Sequence, residues 1–236
     1  MPSHQIVAPR LEGPCPPKTV VLLSYPRSGN GWLRYITEAL TGRPSLGIPG
    51  DPALDPPLYT RLKELKVDPD AVPAAVKRHE LREMEEADAQ RPLIVAVRNY
   101  KECIIRDRYW LEESNLPFDL GTQSRLYMDP IAYYTGHPGP KLLLFYEDFL
   151  DEPVGAVTGL ARLLDVPEET CNRFLERYEE HRDRSIQDYP SHTLGRAKIY
   201  HSLTLSPVER RAWDRRVREL NPALYDRYLT RYREAD

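Results

Sequence analysis

Apolar residues along the chain fall into two patterns, short continuous runs and stripes at helical spacing, and the two alternate. "TVVLLS", beginning at Thr19, is a run of β-branched residues and leucine of the kind that a parallel sheet buries on both faces. "PLIVAVR" repeats the pattern from Pro92 and "KLLLFYE" from Lys141, while "AAVKRH", from Ala74, adds a further strand. Between them lie helical stretches. "GWLRYITEALTG" has apolar residues at Trp32, Leu33, Tyr35, Ile36, Ala39 and Leu40, then Gly42 where a C-cap belongs. "ELREMEEADAQ" reads as a charged helix that Arg91 and Pro92 end, and "NYKECIIRDRYWLEE" as the helix behind the "PLIVAVR" strand. "PVGAVTGLARLLDV" carries a stripe at Val154, Val157, Leu160, Leu163 and Leu164. This alternation implies an α/β fold: one domain, a parallel sheet covered by helices on both faces. From Pro167 onward the chain reads as helical, with "PEETCNRFLERYEE", then "SPVERRAWDRRVREL" and "NPALYDRYLTRY". Ser206, Pro207 and Glu209 make a good helix start.

Two stretches break the pattern. Residues 1–18 are rich in proline and polar residues and read as a flexible lead-in to a domain spanning 19–236. From Arg43 to Pro73, prolines at 44, 49, 52, 56, 57, 69 and 73 leave room for one short helix, around Leu58 to Leu65, in a surface excursion. There is no internal repeat and no low-complexity tract.

Composition narrows the class. The 236 residues suffice for one sizeable core, and 41% hydrophobic with 29% charged residues excludes a disordered chain. A formal charge of -3 gives no generic attraction to nucleic acid, so any positive patch is local. The arginine run "ERRAWDRRVREL" is laced with acids and reads as a solvated helix face. No apolar run reaches the roughly 20 residues that span a bilayer, and the first residues lack an apolar signal core. Cys15, Cys103 and Cys171 are odd in number and lack C-x-x-C spacing, and no N-x-S/T sequon occurs. A soluble protein of the reducing cytoplasm is expected.

The chemistry gathers at "VVLLSYPRSGNGWLRYITEAL", Val20 to Leu40. A turn from a buried strand into a helix aims backbone N–H groups at one point, where the helix dipole adds positive charge. Arg27 supplies a full charge, Ser28 a hydroxyl, and Gly29 and Gly31 allow close approach of a ligand. The G-x-x-x-x-G-K-[ST] pattern of an ATP-binding loop is absent.

"YPRSGNGWL" resembles the "YPKSGTTWL" loop of the sulfotransferase family, which cradles the 5′-phosphosulfate of 3′-phosphoadenosine 5′-phosphosulfate (PAPS). Arg27 replaces the family's lysine and keeps its charge, whereas Asn30 and Gly31 replace two threonines. The family also stacks the residue at Trp32 near the adenine, although the helical stripe makes Trp32 a core residue. Further stretches follow in family order. "VKRHEL" is similar to "VKTHLP", which implies His79 as catalytic base and Lys77 near the transferring group. "VAVRNYKECIIR" is similar to "RNPKDxxxS", which implies that Arg98 grips the 3′-phosphate, with Arg106 where the family has serine. "LFYEDFLDEPVGAVTGLARLLDV" matches "YEDLKxxPxxxxxxLxxFLG", with Tyr146 at the adenine-contacting position. "HTLGRAKIYHSLT" keeps only the outline of the segment that closes over the 3′-phosphate, with Arg196 and Lys198 as its basic residues.

The resemblance implies a P-loop-like fold and an enzyme that moves a sulfuryl group from PAPS to a hydroxyl or amine of a small acceptor, releasing 3′,5′-adenosine bisphosphate. No metal is expected, since no carboxylate pair or His-Cys cluster stands at ligand spacing. A histidine of ordinary pKa, near 6.5, would serve as the base, and strand alternation puts Lys77 and His79 on one face. Spacing alone leaves other roles open: Arg98 could pair with Glu102, and Arg106 with Glu102 or Trp110. Two further functions stay open, a nucleotide kinase and a PAPS-binding protein without transfer. The acceptor is unassigned. Tyr109, Trp110, Phe118, Tyr127, Tyr133 and Tyr134 could line an apolar pocket or lie in the core under a long loop, while Glu112, Glu113 and Asp119 would favour a cation. No nucleic-acid or membrane partner is expected, and a monomer is the default.

Overall fold

A computed structural model describes residues 19–47, 66–68, 71–188 and 205–234. The lead-in at 1–18, the short helix at 58–65 and the segment containing Arg196 and Lys198 lie outside the described residues. The chain forms an α/β domain around a five-stranded parallel sheet flanked by helices, the class that the alternating pattern implies. The strands are β1 (Val20–Leu23), β2 (Ser45–Leu46), β3 (Ala75–Arg78), β4 (Leu93–Val97) and β5 (Lys141–Phe145), in spatial order β2-β3-β1-β4-β5. Central β1 pairs Leu23 with Arg78 on one side and with Val95 on the other. Only the two-residue β2 has no counterpart in the sequence pattern, being too short to show a period.

Strand alternation divides the core in two. Val20, Leu22, Ile94, Ala96 and Leu144 face helix α1 (Asn30–Thr41), with α5 (Pro153–Leu163), α6 (Glu168–Glu176) and α7 (Tyr178–Asp188) packed on the same side. Val21, Leu23, Val95 and Val97 face the opposite layer. That layer contains α2 (Tyr100–Glu113), α3 (Leu120–Gly136), α8 (Pro207–Leu220) and α9 (Pro222–Tyr228), while the short α4 (Asp148–Asp151) follows β5. Leu22 and Leu23 are wholly buried on opposite faces, which is why their run carries no polar position.

Two sequence expectations are corrected. The stretch from Glu80 to Gln90 forms two 3₁₀ turns, Leu81–Glu83 and Glu86–Gln90, instead of one charged helix. Its acids fold back locally: Glu83 accepts the N–H of His79 at 2.6 Å, and Asp88 accepts that of Glu85 at 3.0 Å. Asp88 also binds the guanidinium groups of Arg78 and Arg91 and ties the turn to β3. The stretch read as a long loop contains the 17-residue helix α3, capped by Asp119 on the Thr122 N–H at 2.6 Å. Gly121 and Pro130 hide its period, yet Tyr127, Met128 and Ile131 are buried.

Of the helical C-terminal third, α6 and α7 pack on the first layer, and α8 and α9 dock on the second. Ser206 and Glu209 form a capping box that opens α8, as their spacing implies. Lys101 Nζ lies 2.7 Å from Asp214 of α8, and the Tyr232 hydroxyl donates to Glu147 at 2.6 Å. Glu147 also accepts the Asn99 N–H at 3.0 Å, so the last turn of the chain buttresses the residues just beyond β4 and β5.

Candidate active site

Because β1, β3, β4 and β5 run parallel, the residues that follow them emerge at one edge of the sheet. Ser24, His79, Arg98 and Tyr146 are those residues. The chain leaves β1 towards β3 on one side and then crosses to β4 on the other, which opens a crevice at the carboxyl end of β1. The loop from Ser24 to Gly29 fills this position.

Its backbone is unusual at two residues. Arg27 has φ +68° and Gly29 φ +93°, both in the left-handed region. A Cβ at Gly29 would overlap the Tyr146 ring, so glycine is required by the dihedral and by the neighbouring ring. Tyr146 is fixed in turn by its N–H, which donates to the Val97 carbonyl at 2.7 Å, and the Arg98 guanidinium lies 4.4 Å from its ring centroid. Ser28 is buried with Oγ 3.6 Å from Cys103 Sγ. Burial pushes the Cys103 thiol up to about 12, so the pair is neutral packing beneath the loop.

His79 sits directly across from the loop. Its Nδ1 is 2.9 Å from the Ser24 carbonyl oxygen. A carbonyl only accepts, so Nδ1 carries the hydrogen and Nε2 keeps the lone pair. Asn30 turns its amide into the same corner, Nδ2 donating to Ser24 Oγ at 2.5 Å and lying 3.4 Å from His79 Nδ1. Its Oδ1 is buried with no hydrogen-bond partner among the described residues. The ordinary pKa expected for this histidine is corrected: burial, then the charge of Lys77, pushes it down to about 3, with Arg27 and Arg34 adding to the effect against the Ser24 bond. At neutral pH the ring is uncharged.

Of the other sequence-derived site residues, Arg98 and Arg106 share one partner, at 2.6 Å and 3.5 Å from Glu102 Oε2. Trp32 lies in the core, stacked on Tyr35 with ring centroids 5.5 Å apart and edge-on to Tyr178. Of the loop's second half, Asn30 and Gly31 begin α1. Neither Ser24 as the group that orients His79 nor a buried polar trio behind the loop is marked by any local motif. In that trio the Tyr25 hydroxyl lies 2.7 Å from Gln123 Oε1 and 3.1 Å from Asp107 Oδ2. Burial raises the pKa of Asp107. The positions of Asp107 and Gln123 on separate helices hide the trio from local spacing. Among the described residues no cluster of His, Cys, Asp or Glu could hold a metal ion, and no helix is long and apolar enough to cross a membrane.

No protein-family model and no curated protein sequence matches the chain. Among solved structures it is similar to mouse sulfotransferase SULT7A1 complexed with PAP, at 19% identity and a TM-score of 0.49 over 69% of this chain and 64% of that one. It is also similar to retinol dehydratase in complex with androsterone and inactive cofactor PAP, at 16% identity and a TM-score of 0.45 over 69% of this chain and 65% of that one. The chain thus spans less than two-thirds of either protein.

Proposed function

We propose that the protein is a sulfotransferase that takes the sulfuryl group of PAPS and passes it to a hydroxyl or amine of a small acceptor. The observation that carries this reading is the meeting, at one sheet edge, of a glycine-bearing anion loop, two arginines and a histidine whose tautomer leaves Nε2 bare. The residues fit such a nucleotide. Gly29 keeps the loop backbone open, Arg27 brings a charge to it, and Arg98 and Arg106 already converge on a single anionic oxygen. Asn30 Oδ1, an acceptor beside His79 without a partner among the described residues, suits a ligand that brings an O–H or N–H.

PAPS, when bound, supplies an activated sulfuryl group and a phosphate leaving group. The protein's part is positioning and charge. The Arg27 guanidinium and the loop N–H groups stabilise negative charge growing on the departing 5′-phosphate. Lys77, whose charge is felt at His79, is assigned to a sulfuryl oxygen in this reading. His79 Nε2 takes the acceptor's proton as its oxygen or nitrogen bonds to sulfur and the bond from sulfur to the phosphate oxygen breaks. Ser24 holds the imidazole during this transfer and stabilises the N–H on its far side. The negative charge of a bound nucleotide offsets the Lys77 and Arg27 charges that depress His79, so the base strengthens when its substrate arrives. Arg196 and Lys198 remain assigned to the 3′-phosphate in this proposal, and the setting is a soluble, cytoplasmic one.

Incubation with PAPS across a panel of alcohols, phenols and amines, alongside calorimetric titration of 3′,5′-adenosine bisphosphate, tests the reading. Saturable nucleotide binding with transfer that depends on His79 is expected. Binding without transfer to any acceptor would favour the non-catalytic alternative, and magnesium-dependent ATP turnover would favour the kinase.

A further inference from the structure

Arg98, Glu102 and Arg106 stand four residues apart on one stripe that runs into and along α2. Both guanidinium groups reach the same atom, Glu102 Oε2, at 2.6 Å from Arg98 Nη2 and 3.5 Å from Arg106 Nη2. Two cations gathered on one oxygen is the arrangement that a phosphate oxygen demands, and here a carboxylate of the chain supplies the oxygen. The three side chains differ in freedom. Glu102 is 48% exposed, against 15% for Arg98 and 25% for Arg106. The Tyr146 ring, 4.4 Å away, holds the Arg98 guanidinium in place. The anion borders water, while the Arg98 end of the pair is walled by the ring.

We infer that Glu102 is a built-in competitor for this cationic pair and thereby a determinant of ligand specificity. The inference rests on the nucleotide reading above. A half-exposed carboxylate bound to guanidinium is a weak contact. A phosphate dianion, with more charge and a geometry that matches the guanidinium fork, displaces it. A ligand with a hydroxyl in place of that phosphate offers nothing to exchange for the carboxylate and leaves it where it is. Glu102 therefore acts as a repulsive element against nucleotides that lack the second phosphate, at the expense of some affinity for those that have it.

The test is calorimetric titration of wild type, Glu102→Gln and Glu102→Ala with 3′,5′-adenosine bisphosphate and, separately, with adenosine 5′-monophosphate. Loss of two weak ion pairs predicts bisphosphate binding about fivefold tighter in Glu102→Gln and at least as tight in Glu102→Ala, with monophosphate binding changed by less than about twofold. No gain for the bisphosphate in either variant, or an equal gain for the monophosphate, overturns the role of Glu102 while leaving nucleotide binding intact. Failure of all three proteins to bind either nucleotide overturns the nucleotide reading and this inference with it.

Discussion

His79 Nδ1 and the carbonyl oxygen of Ser24 lie 2.9 Å apart, and this contact decides which ring nitrogen can act as a base. Ser24 follows β1 and His79 follows β3, so pairing of the two strands itself brings the contact about. Replacing His79 by asparagine or alanine removes Nε2 with little change to the loop. Sulfuryl transfer should fall by about 10²- to 10⁴-fold, while the Kd for 3′,5′-adenosine bisphosphate stays within about threefold. Single-turnover rates and calorimetry measure the two quantities separately, and undiminished transfer would remove His79 from the mechanism.

The buried, neutral imidazole also predicts a pH profile. With the His79 pKa near 3 in the free protein, kcat/KM should show no acid limb from this group at 6.5 and should hold level down to about pH 5. An inflection near 6.5 that vanishes in His79→Asn would contradict the burial.

Stability follows from the same shift. A histidine whose folded pKa lies below its unfolded value of about 6.5 contributes fully above that pH and loses its contribution as pH falls towards the folded value of about 3. By pH 5 the loss amounts to about 2 kcal/mol. Chemical denaturation of wild type against His79→Asn between pH 7 and 5 should show the wild type falling more steeply by about that amount.

Gly29 meets two demands, and a pair of substitutions separates them. Gly29→Ala should destabilise the protein by about 1–3 kcal/mol and weaken nucleotide binding, since it strains a φ of +93° and drives a methyl into Tyr146. Adding Tyr146→Ala should relieve the steric part alone. Full recovery in the double variant would show that the dihedral costs nothing.

At the other end of the chain, Tyr232→Phe deletes the hydrogen bond to Glu147 without changing shape. A loss of about 1 kcal/mol is expected, read as a lower Tm. Protection of the Asn99 amide against hydrogen exchange should fall too, because Glu147 holds both groups.

Much of this arrangement was legible in the residues themselves. The runs of β1 and β4 are apolar at every position because both faces are buried, and their short length and valine- and isoleucine-rich content mark them as strands. The glycine-bearing turn was legible as a tight connection through its position between strand and helix. What stayed hidden depends on contacts between distant segments. Nothing near His79 in sequence shows that Ser24 would hold its proton, and Glu80–Gln90 looked helical because the tie of Asp88 to Arg78 and Arg91 is tertiary. In α3, Gly121 and Pro130 gave the signals of a loop, and packing of Tyr127 and Ile131 overrode them.

The contact between Gly29 and Tyr146 joins the first strand's turn to a residue that the ribosome adds more than a hundred positions later. The loop is therefore an unfinished mould until the last strand has docked beside β4. A nascent or truncated chain ending before that strand keeps every residue of the "YPRSGNGWL" loop but lacks the wall against which it is shaped, so the loop's shape arrives late, with completion of the sheet.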